Sequence, residues 1–453
     1  MSHSRQQLMS GWGRSPGSAS HLLRIGSEDD LVSAVSASSH AKTPLLARGL
    51  GRAYGDAAQC GGGTVLDMTG LDRVISFDPD TGVLRCEAGI SLDSLLCYLV
   101  PHGWFLPVTP GTRQVTIGGA VAADVHGKNH HRDGSFARYV RGLTLVNTLG
   151  TLKVSPVDDP EIFWATVGGM GLTGVIADVT LSLQRIASTM MSVDTRRTCD
   201  LEETMTLLSD SDENYHYSVA WVDGVARGRH LGRSVITQAE HVSRVKGARQ
   251  GLDAYRPQRA VNVRVDPPVN VVVPSAVEFA NRLFFRRASV QRQEELQTLG
   301  RFFYPLDAVQ NWNRLYGQRG FTQYQFAVSF GEEETVRKVL ESLHRARVTP
   351  TLVVLKRFGP SNEAPLSFPM PGWTLALDLA LGAREVAPAL DELDELIATA
   401  LGRVYLAKDG RLRPEMLEVM YPRVGAWRKV RRRVDPEGIF VSDLSRRLGL
   451  HGD

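Results

Sequence analysis

Residues able to do acid–base chemistry are concentrated in one short stretch of the chain. Residues 125–131 contain His126, Lys128, His130 and His131. An imidazole titrates near neutral pH, and a lysine removed from water binds anions or gives up its proton more readily. His126 and His130 are four residues apart, but the glycine and asparagine between them disfavour the helix that would make this a metal site. The stretch favours acid–base or anion-binding chemistry, and histidines that only satisfy loop hydrogen bonds are the plainer alternative.

Two further lysines and two glutamines could complete a polar site. Lys356 and Lys408 each interrupt an otherwise apolar segment, so each could hold a phosphate or act as a base. Snorkelling surface lysines are the competing interpretation. Gln323 and Gln325 lie two apart on a predicted strand, which places both amides on one face, where they would suit a polyhydroxylated ligand. Ordinary polar residues on a sheet surface would look the same.

Three glycine-rich loops must position such a site. They are Arg48–Asp56, Pro110–Gly119 and Gly168–Gly174. Glycine lets main-chain N–H groups approach phosphates closely, so three such loops predict one extended phosphate-bearing cofactor. The third loop contains G-x-G-x-x-G, but the predicted order is helix before it and strand after it. That order is the reverse of a nicotinamide-binding motif, which the sequence therefore disfavours.

Composition narrows the class of protein. The 453 residues are 43% hydrophobic and 22% charged, with a formal charge of +3 that gives no reason to expect nucleic acid. The four cysteines show no CxxC pair, the first residues are polar, and no apolar run reaches the length of a membrane span. We expect a soluble, cytoplasmic protein with no metal, no signal peptide and no transmembrane helix.

Local patterns predict an α+β protein of two domains, with a change in composition near Ile186. A basic, proline-broken and partly apolar stretch at 255–292 could approach an anionic membrane or a lipid tail. Helices are predicted at 26–40, 91–101, 118–124, 160–168, 332–345, 387–401 and 424–434. Strands are predicted at 44–47, 64–68, 74–77, 83–88, 143–147, 151–154, 175–183, 217–222, 324–330, 352–358 and 373–379.

Together these motifs resemble one flavoprotein family. The chain is similar to the FAD-linked oxidases of the vanillyl-alcohol oxidase type, which share the PCMH fold, and within them to the branch that acts on decaprenylphosphoryl-β-D-ribose. The run 125–131 is the most specific part of this likeness. The other matching stretches are Gly11–Arg14, Arg48–Asp56, Pro110–Gly119, Phe163–Gly169, Phe321–Phe326, Phe358–Pro360, Ala364–Pro369 and Met420–Arg423.

The resemblance implies an FAD-binding domain at 1–187, a substrate-binding cap at 188–402 and a return to the first domain at 403–453. Many relatives attach the flavin to a histidine in the first loop, where this chain has Arg52, so non-covalent FAD is expected. The cofactor-binding residues carried over are Gly49, Gly51, Arg52, Ala53, Tyr54, Gly55, Asp56, Gly111, Thr112, Gly118, Gly119, Ala123, His126, Gly127, Asn129, Gly171, Thr173, Gly174, Val175, Tyr405 and Lys408.

The implied reaction is oxidation of the ribose 2′-hydroxyl to a 2′-ketone, half of an epimerisation that yields the arabinose donor for cell-wall arabinan. His126 or Lys408 would be the base and Lys128 a further catalytic residue. Where relatives have a cysteine this chain has Ala376, so a cysteine-directed inhibitor would lose its target. The substrate-binding residues carried over are Tyr54, Lys128, Trp221, Tyr304, Gln323, Gln325, Lys356, Phe358, Thr374 and Ala376.

The same resemblance implies partners and a place of action. They are a polyprenylphosphoryl ribose, a separate NADH-dependent keto-reductase and peripheral contact with a membrane surface, on either side of the inner membrane. An alditol or sugar-lactone oxidase of the same fold is one alternative. A non-catalytic flavoprotein that tethers a reductase at the membrane is another, which retention of every polar wall residue disfavours.

Overall fold

The computed structural model describes residues 5–14, 16–243, 260–267 and 272–451. Of the stretch 255–292 proposed from the sequence to approach a membrane, residues 255–259 and 268–271 lie outside the described residues. The helices and strands alternate irregularly along the described ranges and form mixed sheets. This arrangement confirms the predicted α+β class.

The N-terminal part contains a four-stranded sheet and a five-stranded sheet. The first has the order β1-β2-β4-β3 and the second the order β5-β6-β10-β8-β9. Its elements are β1 Arg5–Met9, β2 Ser18–Arg24, α1 Glu28–Ala41, β3 Leu45–Arg48, β4 Thr64–Asp67, β5 Val74–Asp78, β6 Val83–Glu87, α2 Leu92–Leu99, β7 Trp104–Phe105, α3 Ile117–Ala122, α4 His130–Asp133, β8 Val140–Asn147, β9 Gly150–Val154, α5 Pro160–Thr166, β10 Val175–Ser182 and β11 Gln184–Arg185.

The remaining chain builds an eight-stranded sheet of order β16-β12-β14-β13-β19-β20-β18-β21. The helices and strands of this part of the chain are β12 Met190–Thr198, α6 Leu201–Ser211, β13 Tyr217–Val222, β14 Ser234–His241, β15 Val261–Asn262, α7 Pro274–Arg287, β16 Gln291–Thr298, α8 Leu299–Phe303, β17 Val309–Gln310, β18 Phe321–Ser329, α9 Glu333–Arg345, β19 Leu352–Phe358, β20 Gly372–Ala380, α10 Val386–Thr399, β21 Arg403–Val404, α11 Pro414–Met420, α12 Val424–Val434 and α13 Asp443–Arg447.

The register of three central strands places the polar residues of the eight-stranded sheet. Ala376 on β20 lies between Gln325 on β18 and Val354 on β19. Directly opposite residues of neighbouring strands share a face, so this face carries both glutamines and the alternate residues of β19. The fully buried Trp373 anchors β20 on its other face.

The C-terminal segment returns to the N-terminal part. Trp427 of α12 is fully buried and donates a hydrogen bond from Nε1 to the carbonyl oxygen of Ala165 in α5, at 2.9 Å. Phe440 forms a parallel bridge with Leu45 of β3. These contacts bring residues that follow β21 beside the first glycine-rich loop.

Candidate active site and cofactor cavity

The three glycine-rich loops and the central strands of the cap line one cavity of about 360 Å³. The first loop follows β3, the second leads into α3, and the third joins α5 to β10. The residues predicted to contact a cofactor that do line it are Gly49, Gly51, Arg52, Ala53, Tyr54, Gly111, Thr112, Gly118, Gly119, Ala123, His126, Gly171, Gly174, Tyr405 and Lys408. Of the residues predicted to contact substrate, Tyr54, Gln323, Gln325, Lys356 and Ala376 line it too.

Glycine is required where the first two loops pack against each other and against the end of β6. A Cβ on Gly49 would lie 2.2 Å from Oγ1 of Thr116, and one on Gly118 would lie 2.9 Å from Cβ of Ala88. At Gly111 and Gly171 the situation is different, because a Cβ would meet no protein atom within 4 Å among the described residues. Both of these glycines line the cavity, so their backbone is open to a ligand.

Unpartnered polar atoms point to a polar ligand. Arg52 Nε, His126 Nδ1 and the side-chain carbonyl oxygens of Gln323 and Gln325 are buried and have no hydrogen-bond partner within the described ranges. All four residues line the cavity. Because a buried polar atom without a partner costs about 1–3 kcal/mol, a ligand with matching donors and acceptors would be stabilised here. The glycine-lined backbone and these atoms fit a dinucleotide such as FAD.

His126 is held as a neutral imidazole. Burial, followed by repulsion from Lys356 and Lys408, lowers the pKa of His126 well below its usual value. Nε2 of Gln325 donates 3.0 Å hydrogen bonds to His126 Nε2 and to Oγ1 of Thr374, whose hydroxyl donates onward to Phe326. This chain of donors makes His126 Nε2 an acceptor and places the ring proton on Nδ1.

Lys408 lies beside Asp378, an acidic residue that was not predicted from the sequence. Burial raises the pKa of Asp378 to about 6, and burial lowers the pKa of Lys408 to about 8 although Asp378 opposes that shift. Asp378 accepts a hydrogen bond from Gln323, and Nζ of Lys408 lies 5.5 Å from the ring centre of Tyr54. A lysine with a pKa near 8 can be present in both protonation states at working pH.

Lys356 faces the cavity, and a backbone carbonyl oxygen rather than a carboxylate lies nearest to its ammonium group among its described contacts. Its Nζ lies 3.5 Å from the carbonyl oxygen of Gly127. Burial, then repulsion from Lys408 and Lys128, lowers its pKa to about 7. An anion in the cavity would favour the charged ammonium, so Lys356 fits an anionic group of a ligand.

Several residues predicted to bind cofactor lie outside the cavity lining. Asp56 instead forms a two-pronged ion pair with Arg447, at 2.8 and 2.9 Å. Thr173 pairs its hydroxyl with that of Thr166, and Asn129 donates to Pro107. Gly55 and Gly127 instead pack closely against the backbone of neighbouring segments, and Val175 is buried in the hydrophobic core. Hydrogen bonds within the protein therefore occupy polar groups that the sequence assigned to the cofactor.

Five residues predicted to contact substrate also lie behind or beside the lining. Lys128 donates to the carbonyl oxygen of Phe302, and burial lowers its pKa to about 7. The hydroxyls of Tyr304 and Thr109 are 2.6 Å apart, and Trp221 packs against Phe284. The other two support lining residues from behind, Phe358 under His126 and Thr374 beside Gln325.

The remaining histidines of the loop have structural partners. Nδ1 of His130 accepts from the backbone N–H of Gly359 at 3.1 Å, and Nε2 of His131 lies 2.9 Å from the carbonyl oxygen of Tyr215. Across the residues the structure describes, no three His, Cys, Asp or Glu side chains gather as a metal site. Likewise, none of the described helices is long and apolar enough to cross a bilayer.

Among the lining residues that were not predicted from the sequence, three make specific contacts at the cavity. Trp12 stacks under Arg52, with the guanidinium carbon 3.8 Å from the ring centre. Asp307 bonds Thr112 at 2.7 Å and so ties the second loop to the cap. Trp312 lies against Trp12. Only Trp12 carried a signal, because it falls in the matching stretch Gly11–Arg14.

Comparison with known proteins agrees with this cavity. Residues 19–155 match the FAD binding domain family, and residues 332–448 match the D-arabinono-1,4-lactone oxidase family. The chain is 39% identical over 455 residues to decaprenylphosphoryl-β-D-ribose oxidase of Mycolicibacterium smegmatis, covering 97% of both chains. It is 24% identical over 447 residues to L-gulono-1,4-lactone dehydrogenase of Mycobacterium tuberculosis, covering 96% of this chain and 98% of that one.

These matches confirm the predicted FAD cofactor and the PCMH-type two-domain fold. They also confirm an FAD-dependent oxidoreductase that acts on a CH–OH group. The chain belongs to the family of FAD-linked oxidases that includes decaprenylphosphoryl-β-D-ribose oxidase.

Proposed function

We propose that this chain oxidises the ribose 2′-hydroxyl of decaprenylphosphoryl-β-D-ribose to the 2′-ketone. The observation that carries the proposal is a single cavity in which glycine loops face a wall of amides, lysines and an imidazole. Alcohol oxidation needs a bound cofactor, a place for a proton and donors for the sugar, and this cavity offers all three. The name of the mycobacterial relative supplies the substrate.

We assign the wall residues by their chemistry. Lys356, which forms no ion pair with a carboxylate of the described residues, would hold the substrate phosphate or a ribose oxygen. The free carbonyl oxygens of Gln323 and Gln325 would accept hydrogen bonds from ribose hydroxyls. Since His126 Nδ1 carries a proton and has no partner among the described residues, it would donate to an oxygen of the ligand.

The reaction removes two hydrogens from the 2′-carbon and its oxygen. FAD, when bound, supplies the acceptor for the hydride and its two electrons. Of the two bases predicted from the sequence, His126 and Lys408, we assign the hydroxyl proton to Lys408, because Nε2 of His126 already accepts from Gln325 and its Nδ1 carries a proton. Lys128, predicted from the sequence to be catalytic, would act only indirectly, because its Nζ donates to the carbonyl oxygen of Phe302.

We propose that FAD is bound without a covalent bond. Arg52 stands in the first loop where a covalent attachment would need a histidine, and its guanidinium is stacked on Trp12. Acid treatment should therefore release all of the flavin. The division into 1–187, 188–402 and 403–453 is proposed on the contacts of the tail with α5 and β3.

A complete epimerisation needs a second enzyme. The 2′-ketone must be reduced from the opposite face, which we assign to an NADH-dependent reductase partner. The substrate's polyprenyl tail is embedded in lipid, so we also propose peripheral contact with a membrane surface. Immunoprecipitation of the tagged chain from its host would test the reductase, and loss of NADH-dependent product formation after its depletion would support it.

The test is the visible spectrum of the purified protein under anaerobic conditions. Addition of a short-chain polyprenylphosphoryl ribose should bleach the FAD absorbance. Bleaching by free alditols or lactones alone would contradict the proposed substrate. A spectrum unchanged by all of them would favour the non-catalytic tethering protein.

The second candidate is a sugar-lactone oxidase. It is favoured by the match of residues 332–448 to the D-arabinono-1,4-lactone oxidase family. The matched range contains Lys356, Ala376 and Lys408, so it includes part of the cavity wall. Comparing rates of flavin bleaching by aldonolactones and by phosphoryl ribose separates the two functions.

A further inference from the structure

Exposed apolar side chains are concentrated in one part of the chain. Of the nineteen large hydrophobic residues exposed among the described residues, nine lie between Val261 and Leu306. The helix α7 contributes Phe279, which is 69% exposed, Phe284, which is 50% exposed, and Leu283. Phe279 and Leu283 are four residues apart and therefore adjacent on one face of α7, and contiguous exposed apolar side chains mark an interaction surface.

The same helix carries a basic pocket. A second cavity of about 240 Å³ is lined by Arg227, Arg233, Arg282, Arg286 and His230, with Glu278 as its one carboxylate. Glu278 pairs with Arg282 at 2.9 Å, and Arg233 pairs with the buried Asp223 outside the lining. The lining is therefore strongly cationic, and guanidinium groups bind phosphate oxygens well.

Most of the side chains of α7 are exposed among the residues that the structure describes. Only Val277 and Asn281 are buried along its 14 residues, and Asn281 donates to Asp223 at 3.1 Å. Phe284 also packs on Trp221 of β13, with ring centres 4.6 Å apart. Trp221 is the register partner of Val354, which lines the cofactor cavity, so α7 lies beside the strands that form the cavity wall.

We propose that α7 and its basic pocket are a docking surface for an anionic phospholipid bilayer. Phe279 and Leu283 enter the acyl boundary while Arg282 and Arg286 bind lipid phosphate. Charge complementarity selects this occupant, because the pocket is cationic and the adjacent surface is apolar. The inference deepens the proposed function, since it places the cavity wall next to the layer that holds a lipid-linked substrate.

Flotation of the full-length FAD-loaded protein with vesicles tests the surface. We expect binding to phosphatidylcholine vesicles that contain phosphatidylglycerol and weak binding to phosphatidylcholine alone. Each arginine near an anionic surface contributes about fivefold to affinity, so Arg282→Gln with Arg286→Gln should lower partitioning roughly 25-fold. The matched control is Lys429→Gln with Arg432→Gln on α12, which should change it little. Equal loss in the control would overturn the proposal.

A separate variant tests how much the apolar side chains of α7 contribute to vesicle binding. Phe279→Ser should lower partitioning about tenfold, and the loss should persist at high salt, because burial of a phenyl ring is not screened. Emission of Trp221, read as the difference between wild type and Trp221→Phe, should shift to the blue when vesicles are added. No shift on vesicle binding would show that another surface is bound.

Two further experiments distinguish a lipid phosphate from a free phosphate at the basic pocket, and the docking surface from the proposed function. Binding of inorganic phosphate in the absence of any vesicle binding would identify a free-anion site and overturn the docking surface. The α7 variants should retain flavin bleaching by a short-chain, water-soluble substrate. Wild type that floats with vesicles but is never bleached would refute the proposed function and leave the docking surface standing.

Discussion

Lys408 and His126 both line the cavity, but they differ in the lone pair they can offer. His126 Nε2 already accepts from Gln325, and its other nitrogen carries the proton. Lys408 has a pKa lowered by burial to about 8, so a neutral amine is accessible at mild pH. We therefore expect Lys408 to accept the hydroxyl proton and His126 to orient the sugar.

The pH dependence of flavin reduction distinguishes the roles of Lys408. As a base it must be neutral, so the rate should rise as pH increases through about 8. Lys408→Met should lower the rate by about 10²–10⁴-fold with FAD content unchanged. Stopped-flow measurement of flavin bleaching across a range of pH gives the pH profile of the wild type and the rate of the Lys408→Met variant. A rate that falls as pH rises through 8 would instead indicate that the charged lysine stabilises reduced flavin.

Lys356 is expected to reduce stability in return for ligand binding. Its pKa is about 7 in the fold and near 10.5 when unfolded, so the unfolded chain binds its proton more tightly. Stability is therefore lost as pH falls from above 10 through 7. Lys356→Met should raise the unfolding free energy of the apoprotein by on the order of 4 kcal/mol at pH 6 and by about 1 kcal/mol or less at pH 10.

Thermal unfolding of the FAD-free protein at those two pH values measures the effect of Lys356→Met. The matched control is Lys429→Met, an exposed position on α12 that should show no dependence on pH. Weaker substrate binding should accompany the gain in stability. Unchanged substrate affinity would remove Lys356 from the binding wall.

At the scale of elements, the glycine loops serve two different needs. Gly49 is needed by the protein itself, because a Cβ would collide with Thr116. Gly111 has open space around it and faces the cavity. The first kind of glycine lets two loops pack, and the second lets backbone and ligand approach each other.

Gly111→Ala should separate these needs. The apoprotein should keep its stability, because the added methyl meets no described protein atom within 4 Å. FAD affinity should fall about tenfold or more, since a methyl group would stand between backbone and ligand. Gly425→Ala, also in open space but away from the cavity on α12, is the control. Titration of apoprotein with FAD by fluorescence measures the difference.

At the scale of the whole molecule, the C-terminal tail completes the cofactor side. Arg447 of α13 binds Asp56 of the first loop and Asp409 next to Lys408, at 2.8 and 2.9 Å. Asp409 is buried, and the ion pair with Arg447 compensates for its burial. Residues separated by almost the full length of the chain therefore hold one wall of the cavity.

Arg447→Met should destabilise the protein by about 3 kcal/mol, because it leaves a buried carboxylate without its partner. FAD retention on gel filtration should decrease as the first loop loosens. Arg433→Met is the control, since the ion pair of Arg433 with Glu161 is exposed and should contribute about 0–1 kcal/mol. If the two variants lower the free energy of unfolding equally in denaturant, the ion pairs of Arg447 do not stabilise the fold more than an exposed pair does.

The sequence determined those elements whose patterns are local and repetitive. β13, β19 and α12 have the predicted bounds, and α1, α2 and the β8–β9 hairpin are shifted by three residues or fewer. The cap strands β12, β14 and β16 and the helices α6 and α7 were not predicted. β16 is an edge strand of mostly exposed polar residues, so it has no hydrophobic alternation to recognise.

The sequence by itself also determined the glycine loops, the flavin family and the types of residue in the polar wall. Only the tertiary structure decided which of them meet. Asp378 joins Gln323 and Lys408 through strand register, whereas Lys128 is drawn away by Phe302. The physical reason is that a polar side chain takes whichever partner packing brings within hydrogen-bond distance, and those partners are distant in sequence.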